Sequence, residues 1–485
     1  MRNIYPFLVF ILFFSNACNF LEEPQPADAL SIEEAFKTAK DLEDALTGAY
    51  DAVQNGHSLG RNLIVLPDLM GGNASYSGGG WFGLPEIANL QITTTSWYVE
   101  NIWTQTYRAI NQVNQILAAL PEVDENDSAL TSEEYDQIQG EAAFLRGVLY
   151  FELVRMFGLP YETQYLDSLG VPLMLSPVLK KEELQFPVRA SVGEVYAQVV
   201  TDLDLAIEKL GTTSPRGRAN RFAALAYQAR VAFQQRDYSK VEQLTKELAE
   251  NSPFSLTETP AKFFREKGTS EEIWSLLNEP GDEIAGGNLY SMFADATIQN
   301  GLRKEGFERI VTQSQLDKVY AAGYSVVDLR ADPGILTNEP FISADSVFTQ
   351  KYTFNSDTPV ARWAEFVLMR AEVLARLDDF AGAVDLLNQV RERSLRIVDE
   401  NGYEVPEAAN VFVLFEAGDV TKAGLIEAII RERRVELAFE GNYFHDLMRL
   451  KRDVQGKSYD ARELRLPIPQ REMDVNPALV QNSGY

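Results

Sequence analysis

The chain has 485 residues, 45% of them hydrophobic, which is enough to bury a large core; length alone would allow two to four domains. Its 44 Lys+Arg face 71 Asp+Glu, a net charge of −27. Such a surface repels phosphate backbones and anionic headgroups, so nucleic acid and electrostatic membrane contacts are disfavoured, and a neutral or weakly cationic ligand fits better.

Arg2 is the single charge before an apolar run from Ile4 to Phe14, followed by Ser15, Asn16 and Ala17. That is the layout of a secretory signal over residues 1–17, and the run is too short to span a bilayer. The chain holds one Cys, Cys18, directly after it. Ala17-Cys18 resembles the end of a bacterial lipobox, although Ser15 stands where that motif prefers Leu. The resemblance implies acylation of Cys18, and several acyl chains on one residue exceed what stable anchoring needs. Glu22 and Glu23 resemble the acidic surface-export signal of Bacteroidetes lipoproteins. Residues 18–30, with Pro24 and Pro26, read as a lipidated N-terminus and tether.

From Ser31 the pattern turns helical: Ser31 and Glu34 form a capping box, and Ala35, Leu42, Ala45, Leu46, Ala49 and Val53 recur at helical spacing. Residues 56–95, rich in Gly, Ser, Asn and Thr, read as irregular loops. Helical periodicity returns over 99–120, 134–157 and 193–210. Asp124 to Ser128 reads as a solvated loop, because a calcium loop would need a Gly and a closing Glu that are missing.

An internal repeat follows. Ala229 to Tyr238 aligns with Ala371 to Phe380, with small and apolar positions coinciding and an acidic residue plus an aromatic at each turn. Second helices are expected over 239–250 and 381–393. This is the tetratricopeptide (TPR) pattern, a unit that must stack on neighbours to bury its apolar face. The copies start 142 residues apart, so something large is inserted. Residues 252–360 carry Ile273 to Leu277 as a candidate strand within Gly-rich, loop-like sequence. The expected architecture is mostly α, a TPR-like helical scaffold over 31–485 with loop-rich excursions near 56–98 and 252–360 and a few short strands. Loops this long, held on a rigid frame, tend to carry binding sites.

Motifs for chemistry are sparse. Two histidines, His57 and His445, and one Cys form no metal cluster, zincin motif or Cys nucleophile, and no Gly-x-Ser-x-Gly elbow is present. Gly78 to Gly83 matches G-x-G-x-x-G by letter only, since no strand precedes it and Leu84-Pro85 follows. A glycosidase carboxylate pair has no local signature. No cofactor is expected, and the chain reads as a binding protein rather than an enzyme.

The last third is the most specific. Arg433-Arg434, Glu436-Leu437, Phe439-Glu440-Gly441 and Asp446-Leu447 resemble the signature of the SusD/RagB family. Leu466-Pro467-Ile468-Pro469-Gln470, Glu472, Asn476-Pro477, Gln481-Asn482 and Gly484-Tyr485 resemble its closing motif. Glu141 to Arg146, Tyr150-Phe151, Phe157-Gly158, Arg362 to Glu365 and Arg370 to Glu372 extend the match over nearly the whole mature chain. The resemblance implies four TPR-like helix pairs and a lipid-anchored protein on the extracellular face of the outer membrane. It further implies a lid on a SusC-like TonB-dependent transporter, with glycans as the usual cargo and peptides in some relatives. A TPR scaffold that binds only protein is the alternative from another class. Arg433, Arg434, Glu436 and Glu440 are expected to pair along a helix or with its neighbours and hold the scaffold.

A sugar offers an apolar C–H face and a rim of hydroxyls, so recognition wants flat aromatics beside Asn, Asp or Arg. Asp68, Asn73, Tyr76, Trp81, Phe82, Trp97 and Asn101 supply that mixture, and Tyr290 adds to it from the second excursion. Trp81, between glycines, has three possible roles: ligand contact, transporter interface or packing. Trp97 stands between ligand and core, whereas Trp103, Trp274, Trp363 and His445 are expected to pack.

Overall fold

Three helices begin on capping boxes, in which the residue before the helix and the third helical residue exchange hydrogen bonds: Thr38 with Asp41, Thr131 with Glu134 and Ser191 with Glu194. The computed structural model describes residues 36–76, 83–178, 185–293, 298–300, 313–330, 349–406, 408 and 414–485. The expected signal, Cys18, the tether, the Ser31–Glu34 box, Trp81 and Phe82 lie outside the described residues.

In chain order the first elements are α1 (Ala39–Gln54), α2 (Asn62–Gly71), β1 (Ala74–Tyr76), α3 (Leu84–Ala88), α4 (Trp97–Asn126) and α5 (Ser132–Phe157). Then come α6 (Val192–Lys209), α7 (Arg221–Gln235), α8 (Tyr238–Asn251), α9 (Pro260–Arg265), β2 (Glu272–Leu276), α10 (Leu289–Phe293), β3 (Ile298–Asn300), α11 (Gln313–Ala321), β4 (Ser325–Asp328) and β5 (Thr358–Arg362). The chain ends with α12 (Trp363–Arg376), α13 (Phe380–Ser394), β6 (Leu395–Val398), α14 (Lys422–Glu436), α15 (Tyr443–Arg449) and α16 (Gln470–Val475). The fold is mostly α, and among the described residues the strands form two-stranded antiparallel pairs: β1 with β3, β2 with β5 and β4 with β6.

The long helices pack in succession: α1 on α4, α4 on α5, α5 on α6, α6 on α7, α7 on α8, α8 on α12, and α12 on α13 and α14. The two repeat copies, α7–α8 and α12–α13, are therefore neighbours in space, and residues 252–362 loop out between them. At each turn the acidic residue is the cap of the second helix. Asp237 accepts from the Lys240 amide and Asp379 from the Gly382 amide, after Arg236 and Asp378 reverse the chain at φ of +61° and +70°. The guanidinium of Arg376 lies 4.8 Å over the ring of Tyr238, joining one copy to the other.

Two expectations of loop are corrected. α2 and α3 are helical; every α2 residue is buried, so its sequence carries apolar residues all round, interrupted by Pro67, and no face-wise period. Asp124 to Asn126 belong to the last turn of α4.

Around α14 lies a buried ion cluster. Glu436 accepts from Arg330 at 3.0 Å, from Arg362 at 2.9 Å and from Arg393. Arg362 also pairs with Glu271 and Glu440, each at 2.6 Å, while Arg393 pairs with Glu271, Lys351 with Glu440 at 2.6 Å, Arg330 with Asp328 and Glu432, and Arg391 with Glu432. Burial alone would raise the Glu436 carboxyl, but Arg393, Arg362 and Arg330 outweigh it and hold that group well below the usual carboxylate range. The signature helix thus pairs outward, with β2, β5, α13 and the segments beside them. Glu436→Ala leaves three buried guanidiniums short of a partner, so a loss of about 3–5 kcal/mol is expected in urea unfolding. Asp44→Ala, which breaks the exposed pair with Lys40, should leave the urea midpoint nearly unchanged, because water already screens that pair.

Candidate functional site

The two excursions meet on one face. β1 pairs with β3, aligning Ala74 with Asn300 and Tyr76 with Ile298. The Gly56 amide donates to Ala285 O at 2.8 Å, and Thr358 Oγ1 donates to Gly60 O at 2.8 Å. Arg61, 1% exposed, donates to Gly286 O at 2.5 Å and to Ser291 Oγ at 3.4 Å. Burial lowers its pKa to about 10, so it remains a cation and acts as a tie behind the face.

Two aromatic pairs stand at either end of the 286–291 segment. At one end Trp97, the first residue of α4 and 50% exposed, meets His57 edge-on at 4.9 Å and Tyr98 at 5.1 Å. At the other, Tyr290 (36% exposed) meets Phe354 (67% exposed) edge-on at 6.4 Å. Phe354 is held despite its exposure, because Asn288 and Asn278 both donate to its backbone oxygen, at 2.7 and 2.8 Å. Tyr98 is buried beneath Trp97, and burial raises its hydroxyl to about 12 against the lowering pull of the Arg61 cation. The Cβ position of Gly83 lies 3.3 Å from the Tyr98 ring.

His57 is half-buried, and burial followed by the charge of Arg61 lowers its pKa. It therefore presents a neutral imidazole at pH 7. With apolar faces at both ends and polar groups such as Ser291 between them, this surface suits a neutral ligand with apolar and hydroxylated sides.

Asp68 and Asn73, expected at the ligand rim, are both wholly buried. Asp68 accepts from the Gly441 amide at 2.8 Å, and its burial raises the carboxyl to about 7; Asn73 accepts from Arg434 Nε at 2.9 Å. These two residues fasten the first excursion to the signature segment and cannot reach a ligand. Asn101 spends its amide on Trp97 O, one turn back in α4, at 2.8 Å. Tyr76, Trp97 and Tyr290 are brought together with His57 and Phe354, which had not been foreseen. Gly286 and Gly287, both at positive φ, were the available signal for a tightly shaped segment, and Phe354 stands in polar surroundings with no apolar period around it. Trp103 and Trp274 are core, at 4% and 2% exposure; His445 is buried, while Trp363 is only partly buried.

No helix among the described residues is long and apolar enough to cross a membrane, and no group of three or more His, Cys, Asp or Glu among them could hold a metal ion. A family described as "Starch-binding associating with outer membrane" matches residues 19–233, and the SusD family matches residues 330–464. A SusD-like protein of Formosa agariphila is 26% identical, over 99% of this chain and 98% of its own length. A SusD superfamily protein of Bacteroides thetaiotaomicron shares the fold with a TM-score of 0.75 at 20% identity, covering 92% of this chain and 99% of that one. A SusD-like carbohydrate binding protein of Bacteroides vulgatus superposes with a TM-score of 0.64 at 19% identity, covering 86% and 85%. The chain belongs to the SusD/RagB family.

Gly286 has a φ of +84°, and a Cβ there would lie 2.8 Å from His57 Nε2. Gly286→Ala is therefore expected to push His57 off Trp97 and to cost about 1–2 kcal/mol through the left-handed backbone. A moved His57 ring resonance and a lowered urea midpoint would report both effects.

Proposed function

We propose that this chain is a cell-surface glycan-binding lipoprotein, anchored through acylated Cys18, that captures oligosaccharide and delivers it to a SusC-like TonB-dependent transporter. The observation that carries the reading is the aromatic face where the two excursions join, in a chain of this family. Trp97 and Tyr290 offer ring surface to the C–H faces of sugar units, with Phe354 and His57 beside them; Trp81 and Phe82, which lie outside the described residues, are proposed as further contacts on their chemistry alone. The family description names starch binding at the outer membrane, and one relative is described as carbohydrate binding, which supports the cargo and the location. The Ile4 to Phe14 run and Ala17-Cys18 support export and anchoring. Binding requires no bond making: the chain holds sugar and excludes water from its apolar side. A capture lid that must release its cargo works well with a Kd in the micromolar to millimolar range, about −8 to −4 kcal/mol.

Calorimetric titration of the mature chain with cello-, xylo-, manno- and maltohexaose tests the binding. Trp97→Ala and Tyr290→Ala should each weaken the best of these by roughly 2- to 13-fold, the equivalent of about 0.5–1.5 kcal/mol per aromatic contact. Unchanged affinity in both variants would remove this face as the site. Mild extraction of outer membranes should co-purify a TonB-dependent barrel in near-equal amount; repeated extraction without one would remove the delivery role.

A further inference from the structure

A second concave surface lies on the helical stack and shares no residue with the aromatic face. It is an open pocket of about 560 Å³ between the segment after α8, the start of α12 and the outer side of α13. That size falls within the range of small-molecule sites. Its aromatic wall is Phe254 and Trp363, whose rings sit 6.4 Å apart and 36° from coplanar, with buried Phe222 supporting Phe254 edge-on at 5.9 Å. Trp363 is partly exposed at the first position of α12, where its amide is held by Glu271 O at 2.8 Å.

The rim is polar. Gln389 and Glu392 are exposed and three residues apart on α13, hence on one side of it, and Glu258 faces them across the pocket. The back wall is rigid, because Thr257 and Arg393 are both bound to Glu271, which joins them to the buried ion cluster.

The cations here are already matched. Arg393 is committed to Glu271 and Glu436, and Arg396 pairs with Glu404 at 3.1 Å and donates to two backbone carbonyls. An anionic ligand would thus have to displace an existing partner. A peptide adding as a strand would need free backbone groups along the rim, yet the Ser255 amide is spent on Ser270 O and the Thr257 amide on Glu271. An uncharged polyol with one apolar face need displace no buried partner: its C–H side can cover the indole while Glu392 takes its hydroxyls, together with the acceptor positions left on Gln389, whose amide donates to Asp385 at 3.0 Å, and on Glu258, which pairs with Lys262 at 2.8 Å.

We infer that the Trp363 pocket is a second carbohydrate site, which takes neutral sugar units independently of the aromatic face. The choice of sugar rests on the glycan reading above. Two sites on one chain let a long polymer be held at two points, so that release from one does not lose it.

The test uses the mature chain with its tryptophans labelled for NMR and each indole assigned by substitution, titrated with the same four hexaoses. The expected result is a Trp363 shift that persists in the Trp97→Ala/Tyr290→Ala double variant and is lost in Gln389→Ala/Glu392→Ala, whose exposed positions leave the fold intact. A hexaose that shifts Trp97 while Trp363 stays still overturns the second site and leaves the first. A Trp363 shift that vanishes in the Trp97→Ala/Tyr290→Ala variant also overturns it, because the pocket would only be sensing the other face. A Trp363 shift with a silent Trp97 supports the second site and counts against the first. If no hexaose moves either indole, neither site takes neutral glycan. A Trp363 shift produced by a tryptic casein digest and by no hexaose would replace the sugar with peptide.

Discussion

The join between α14, α13, β5 and the segments around β2 and β4 depends on five carboxylates and five cations that are largely shut away from water. Asp328, Glu271, Glu432, Glu436 and Glu440 face Arg330, Lys351, Arg362, Arg391 and Arg393, and they come from β2, β4, β5, α13, α14 and the segments beside them. Desolvating that many charges offsets most of the attraction they gain, so the cluster adds little net stability over an apolar core. Its effect is on arrangement. Glu436 satisfies three guanidiniums at once, and any slippage of the excursion over the stack would leave some of them buried and unpaired. The described parts of the second excursion that carry Glu271, Asp328, Arg330, Lys351 and Arg362 are thereby held in one position.

The proposed binding face follows from that fixing. The 252–362 excursion returns to the stack through Arg362, which belongs to the cluster, and four residues earlier, at the start of the same strand, Thr358 is tied to Gly60 of the first excursion. Arg61 then reaches across to Gly286 and Ser291, setting Tyr290 relative to Trp97. Asp68 and Asn73 hold the other side of the first excursion to Gly441 and Arg434. Aromatic groups that contact sugar through dispersion and C–H contacts gain affinity when they are held in place beforehand, since little side-chain entropy remains to be lost. The same cluster stands behind the Trp363 pocket through Glu271 and Arg393, so both surfaces rest on one frame.

Much of the scaffold was legible in the residues themselves. The periodic stretches at 99–120, 134–157 and 193–210 become α4, α5 and α6, and the Ala229 and Ala371 repeats become two helix pairs, because surface-facing helices write their burial into a 3.6-residue period. α2 escaped notice for the opposite reason: a helix buried on every side has no period to show. Asp68 and Asn73 looked like a ligand rim because polar residues near glycines resemble a loop, and their partners lie more than 350 positions further along the chain. Nothing local reveals such pairing. The aromatic face was legible only in its separate residues: Trp97, Tyr76 and Tyr290 were named on chemistry, whereas His57 and Phe354 join it only through tertiary contacts between the two excursions, and its role as a glycan site is a proposal.

The most direct measurement is hydrogen–deuterium exchange of the mature chain with and without the tightest-binding neutral hexaose. Slowed exchange is expected in 55–61, 74–76, 83–98, 285–293 and 352–357 and in the Trp363 pocket, with the interiors of α5, α7 and α12 unchanged, since a preformed frame has no reason to reorganise. Slowing that spreads through the stacked helices, or that leaves the 285–293 segment untouched, would contradict a rigid frame carrying a prebuilt glycan face.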